Sequence, residues 1–267
     1  MTTTLTEGSG AVQAALWGAA AEEWASLMEP QGRALFDAVL ARGRFAPGTH
    51  VLDVGCGSGL FARLVAARGC SVTGFDAAEP LLTIARRLTP AVSFYLGDME
   101  TLPFTDERFD IVTGINSFQY AADSRHALVE ARRVARRGAQ IFVATWGRPE
   151  ACEAAAYLAA LKPLLPQLPP GASGPFALSD EAALRSLVAS AGLTPASVED
   201  VDVTWQFGDL DTALAAMLSA GPSVLAIQTS GRDRVRTTLQ QAIAPFRLAN
   251  GSYRLENRFR YLLATRD

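Results

Sequence analysis

VLDVGCGSG, residues 51–59, is the stretch that decides the fold. Val51, Leu52, Asp53 and Val54 form an apolar strand interrupted by one acid. Gly55, Gly57 and Gly59 follow at alternate positions, and Leu60–Arg68 continues with helical character. A strand, a tight glycine turn and a helix start are the parts with which a parallel α/β fold holds a nucleotide-like ligand. Glycine tolerates positive φ and, lacking a Cβ, lets a ligand come close to the backbone. A dinucleotide fingerprint needs G-x-G-x-x-G. Here the third glycine comes one residue early and Leu60 takes the expected place.

Outward from the turn, Ser71–Phe75 reads as a second strand that ends in Asp76. An acid at that point can accept hydrogen bonds from both hydroxyls of a ribose, and it can equally cap the helix expected over Ala77–Leu88. Val92–Leu96 reads as a third strand, followed by Gly97-Asp98-Met99. Leu102-Pro103-Phe104 leads to a fourth strand at Phe109-Asp110-Ile111-Val112, whose exit is Asn116-Ser117-Phe118-Gln119-Tyr120. Ala127–Arg137 is an amphipathic helix closed by Gly138, with Arg132, Arg133, Arg136 and Arg137 as its solvated basic face. Ala139–Thr145 is a fifth strand.

In this order and spacing, residues 51–146 resemble the class I S-adenosylmethionine-dependent methyltransferases, most closely the small-molecule branch that includes ubiquinone and menaquinone biosynthesis. The resemblance implies an α/β, Rossmann-like three-layer sandwich. Its seven-stranded sheet is mostly parallel with the last strand antiparallel, and a helical lid or cap is added. It also implies S-adenosyl-L-methionine as cofactor, held by Asp53, Gly55, Gly57, Gly59, Asp76, Ala77, Asp98, Met99 and Asn116. Asp76 would be the ribose ligand, Asp98 would meet the adenine amine, and Met99 would cover the ring. The expected reaction is in-line displacement at the sulfonium methyl group, releasing S-adenosylhomocysteine. A nicotinamide-dependent oxidoreductase on a related sheet, or a protein that binds the cofactor without transferring methyl, are the alternatives. The early third glycine and Asp53 argue against the first of these.

The carboxyl ends of the strands face the ligand in open α/β sheets, so Asn116 and Gln119 are candidate catalytic or site-lining residues, with helix capping as their other reading. His50 and His126, the only histidines, are poorly placed for a general base, which leaves positioning to supply most of the acceleration. Trp17, Gln119, Tyr120, Met217 and Phe246 are candidates for the acceptor pocket. Trp17 and Trp24 lie seven residues apart in a helix expected over Val12–Met28, followed by another over Gly32–Arg42. Both tryptophans read either as core anchors or as lid residues.

The 267 residues are 49% hydrophobic with a net charge of −3, enough for a sizeable core and without the basic field that nucleic acid requires. Three unpaired cysteines suggest neither a disulfide framework nor a metal site. No apolar run reaches the length of a membrane span, and no secretory leader is visible, so a cytoplasmic enzyme of secondary metabolism is expected. Its acceptor would be an apolar or aromatic small molecule; oligomeric state is unassigned. The expected layout is one domain over 1–267. It comprises a helical lid over 1–46, a cofactor-binding core over 47–147, and sheet completion with a substrate cap over 148–267, including a helical insertion at about 208–250. Met1–Gly10 is expected to be loose and Lys162–Pro175, rich in proline, irregular. Ser179–Ala191 reads as a helix, Val198–Phe207 as a sixth strand and Arg258–Thr265 as a seventh.

Overall fold

The computed structural model describes residues 8–167 and 174–267. Parts of the Met1–Gly10 and Lys162–Pro175 segments therefore lie outside the described residues. Seven strands form one sheet: β1 (His50–Val54), β2 (Ser71–Asp76), β3 (Ser93–Leu96), β4 (Phe109–Ile115), β5 (Ala135–Trp146), β6 (Thr194–Phe207) and β7 (Tyr253–Thr265). Their order is β3-β2-β1-β4-β5-β7-β6. β1 pairs in parallel with both β2 and β4, whereas β7 runs antiparallel to β5 and β6. The expected seven-stranded sheet with an antiparallel last strand is thus present. The order reverses between β1 and β4, the place where open α/β sheets leave a crevice for ligand.

Successive side chains of a strand point to opposite faces, and here both faces are covered. Val51, Ile111, Phe142 and Tyr261 pack into one core. It is shared with α3 (Arg33–Arg42), α4 (Leu60–Ala66), part of α5 (Glu79–Leu88), α7 (Ala155–Leu161), α9 (Leu210–Leu218) and α11 (Arg232–Ile243). Their neighbours Leu52, Val112, Ile141 and Leu262 pack on the other side against α6 (Ser124–Val134) and α8 (Glu181–Ser190). Buried on both faces, these strands read as nearly continuous apolar runs. Among the described residues no single helix is long and apolar enough to cross a membrane. α9 with α10 (Gly221–Ser230) passes that test only as a pair bent by 87°.

Two local expectations are corrected. The N-terminal helix is not continuous over Val12–Met28. α1 (Gly10–Gly18) ends, Ala20 leaves helical backbone at φ −140°, and α2 (Ala21–Glu23) leads into a π-helical turn at Trp24–Met28 and a 3-10 turn at Glu29–Gly32. Gly18 marks the break: it is a weak helix former packed against Pro80, which a Cβ would meet at 3.1 Å. The helix expected to reach Arg137 stops at Val134: Ala135 turns to extended backbone, and the last two carbonyls, of Arg133 and Val134, accept from the Glu107 and Arg108 amides of the loop before β4. Gly138, at φ +74°, lies inside β5 and is not a helix cap. Arg136 is therefore on the strand, bridged to Asp110 at 2.6 Å, and Arg133 is pinned by Glu130 and Asp106.

Candidate functional site

The carboxyl ends of β1, β2 and β4 open into one cleft. The chain leaves β1 through Gly55 at φ +72° and Gly57 at φ +56°. At Gly55 a Cβ would sit 2.4 Å from that of Ser117, so the turn can lie against the β4 exit only without a side chain. The Gly55 and Cys56 amides donate to the Phe75 carbonyl. The Gly57 amide donates to Asp76 Oδ2 at 2.8 Å, and Ala78 N–H donates to Asp76 Oδ1 at 2.8 Å. Asp76 thus fixes the turn while facing the cleft beside Ala77. Gly59 is a correction to the expected ligand set. It does not line the cleft; its backbone is left-handed at φ +80° where α4 starts, and a Cβ there would meet Ala85 of α5 and Phe94 of β3 at 3.0 Å.

Asp53 is 2% exposed. Its Oδ1 accepts from the Thr113 hydroxyl at 2.8 Å, and its Oδ2 has no partner. Burial pushes its carboxyl up to about 7; the Thr113 hydrogen bond opposes this and the nearby Asp76 charge adds to it. Asp76 is also raised, chiefly by burial against the amide hydrogen bonds that favour its charged form. Asp98 and Met99 follow β3 into the cleft. Asp98 Oδ2 accepts from the Gly10 amide at 2.7 Å, and Glu100 accepts from the amides of Ser9, Ala122 and Asp123. These two acids hold the start of α1 over the mouth of the cleft.

Asn116 ends β4 in left-handed backbone, φ +55°, and lines the cleft. Asparagine is among the few side chains that adopt this geometry readily, so the sharp exit and the polar side chain arise together. Beyond it the wall becomes aromatic. Trp17 meets Trp24 edge-on at 4.7 Å and Tyr120 at 5.3 Å. Deeper in, Trp146 stacks on Phe259 at 4.4 Å and meets Trp205 edge-on at 5.5 Å, beside Tyr157. The cleft contains about 1390 Å³ of atom-free space, its open mouth included.

Three acceptor-pocket candidates are corrected. Gln119 is buried behind the wall, its amide nitrogen donating to Asn116 Oδ1, and does not line the cleft. Met217 is fully buried in the core of α9 and Phe246 packs on the outside of that core; neither reaches the cleft. From the long segment between β6 and β7 only Ala220 and Pro222 line it. Apolar character alone did not distinguish a core side chain from a pocket side chain. Met217→Ala should therefore cost about 2 kcal/mol of stability as a core cavity and leave ligand affinity unchanged. Denaturant unfolding paired with calorimetry checks both. His50 and His126 are exposed and outside the cleft.

The most consequential residue missed is Glu29, only 8% exposed at the top of the glycine turn. Its carboxylate accepts from the Ser58 hydroxyl and, at 3.3 Å, from the Leu60 amide. Burial raises it to about 7 against those hydrogen bonds, with Asp53 and Asp76 adding to the effect. No local motif marks it. Trp146, Trp205 and Phe259 were also missed, although Trp205 and Phe207 share the buried side of β6 with Val203, a period-two signal.

Residues 52–143 match the family described as "Methyltransferase domain". A malonyl-[acyl-carrier protein] O-methyltransferase of Erwinia pyrifoliae is 30% identical over 228 residues, 85% of this chain and 82% of that protein. The corresponding Serratia marcescens enzyme is 38% identical over 107 residues, 40% of this chain and 42% of its own length. A demethylmenaquinone methyltransferase of Renibacterium salmoninarum is 34% identical over 117 residues, 44% of this chain and 48% of that one. The last two matches thus span less than half of those relatives. Among solved structures, a Bacillus halodurans protein assigned as a methyltransferase superposes with a TM-score of 0.59 at 17% identity, covering 86% of this chain and 98% of that one. A [4+2]-cyclase superposes with a TM-score of 0.56 at 19% identity, covering 87% and 80%. Both of these likenesses concern the fold.

Proposed function

The chain belongs to the class I S-adenosylmethionine-dependent methyltransferases, and from that premise we propose that it methylates a neutral, apolar or aromatic small molecule. The observation that carries the choice of acceptor is the composition of the cleft wall. Trp146, Tyr157, Trp205 and Phe259 form its deep end, and no lysine, arginine or histidine lines it among the described residues. A malonyl thioester, named in two relatives, carries a free carboxylate. In a cleft already lined by Glu29, Asp53, Asp76 and Asp98, that charge would have the cofactor's sulfonium as its one cationic partner, because no basic side chain lines the wall to hold it. A ring held between aromatic walls needs no such partner.

The residues present fit the cofactor. Asp53 Oδ2 is a buried acceptor without a partner, and Gly55 and Gly57 leave the turn free of side chains. Asp76 would take the ribose, Asp98 and Met99 the adenine, and Asp53, Gly55, Gly57 and Asn116 the amino-acid end. When bound, S-adenosylmethionine supplies an electrophilic methyl group on a sulfonium. This chain's own contribution is to align the acceptor and exclude water. Trp17, Trp24 and Tyr120 line the same cleft as one edge-to-face cluster, and aromatic faces favour a cation lying against them. Alignment of this kind can account for much of a bimolecular barrier, so an ionisable base is needed only if the acceptor atom holds its proton tightly.

The test is transfer of labelled methyl from S-adenosylmethionine to a panel containing hydroquinones, phenols and a malonyl thioester. Labelling of ring-bearing acceptors is expected. Labelling of the thioester alone would refute the choice of acceptor, and binding without any labelling would favour a non-methylating role.

A further inference from the structure

We propose that Glu29, together with Asp53, is a two-carboxylate clamp for the α-ammonium group of the cofactor, which makes Glu29 the residue that selects the amino-acid end. The inference rests on reading the cleft as the S-adenosylmethionine site. Glu29 reaches the glycine turn from the lid side. A Cβ on Gly57 would lie 3.3 Å from Glu29 Oε1, so the carboxylate lies directly across the turn. Ser58 and the Leu60 amide hold it there. Asp53 enters the same cleft from β1 with one oxygen bound to Thr113 and the other buried and unpartnered.

Two buried carboxylates lining one cleft, with no basic side chain beside them, create a demand for a cation that the described residues do not meet. An inorganic cation is poorly served. Among the described residues no group of three or more histidine, cysteine, aspartate or glutamate side chains is arranged to hold a metal ion. A primary ammonium offers three N–H donors, which suits acceptors arriving from two sides. Glu29 belongs to the 3-10 turn that closes the N-terminal lid, whereas Asp53 belongs to the sheet. The clamp therefore ties recognition of the amino end to lid closure, and a ligand without that end gains nothing from Glu29.

The experiment compares two probes by calorimetry on the full chain, S-adenosylhomocysteine and 5′-deoxy-5′-methylthioadenosine, which lacks the amino-acid end. Glu29→Gln keeps the side-chain shape and removes the charge. It should weaken S-adenosylhomocysteine by at least about tenfold and leave methylthioadenosine within about twofold, as loss of a charge-assisted hydrogen bond predicts. Equal losses for both probes would show that Glu29 only shapes the turn, and unchanged affinity for both would remove it from the site; either overturns the clamp. If the wild-type protein binds neither probe, the cofactor reading itself fails and the clamp with it. Should the variant not fold, wild-type protein answers with the desamino analogue of S-adenosylhomocysteine: at least about tenfold weaker binding supports the clamp, and equal binding refutes it.

Discussion

Asp76→Ala is expected to weaken S-adenosylhomocysteine by about 3 kcal/mol, roughly a hundredfold, because two ribose hydroxyls would lose a charged acceptor. The carboxylate is well prepared for that role. Its oxygens are oriented by the amides of Gly57 and Ala78, each at 2.8 Å, and each retains acceptor capacity toward the cleft. The same hydrogen bonds mean that the alanine variant also loosens the glycine turn, so affinity must be read beside thermal stability. A variant whose melting temperature is near wild type and whose affinity collapses identifies Asp76 as a ligand group. A folded variant with unchanged Kd would confine Asp76 to bracing the turn.

The sheet could be read from the sequence because its strands carry their own signals. VLDV, SVTGF and AQIFVAT are apolar runs bounded by glycine or polar turns, and each lies within a strand. The end of α6 could not, because it is set by partners distant in sequence. Glu107 and Arg108 take its last carbonyls, and the Arg266 side chain donates to those of Arg132 and Arg133. The site divides in the same way. Asp53 and Asp76 lie at the carboxyl ends of β1 and β2, and Asp98 and Asn116 just beyond β3 and β4, so strand order alone brings them to one cleft. Glu29 lies 24 residues before Asp53 in the chain and meets it only because the N-terminal segment folds back over the turn. Gln31 helps fix that path by exchanging hydrogen bonds with the backbone of Gln206 on β6. Met217 and Phe246 show the converse: their spacing revealed apolar helices, but only the packing of those helices reveals which side chains the core consumes.

The acids that make the cleft attractive to a cation should also make the ligand-free protein less stable as pH rises. Glu29 and Asp53 are both raised to about 7 by burial, above the values of roughly 4 that carboxyls have in an unfolded chain. A carboxyl with a raised folded pKa contributes stability that is complete below its unfolded pKa and is lost as pH climbs through the folded one. The acids held low by partners, Asp110, Glu130, Asp180 and Asp209, act in the opposite sense, but their contribution disappears only as pH falls below about 4. Between pH 5 and 8 the cleft acids therefore dominate. Coupled as they are, their joint effect is on the order of 3 kcal/mol, or roughly 5–10 °C in melting temperature for a chain of this size. Asp53→Asn removes one of the two buried charges and should flatten the profile, melting above wild type at pH 8 while binding S-adenosylhomocysteine less tightly. Differential scanning calorimetry at pH 5.5, 6.5, 7.5 and 8.5 measures this directly. A wild-type melting temperature that holds or rises across that range would mean that the two carboxyls are already ionised and paired in the free protein, and the cleft would then have no unmet demand for a cation.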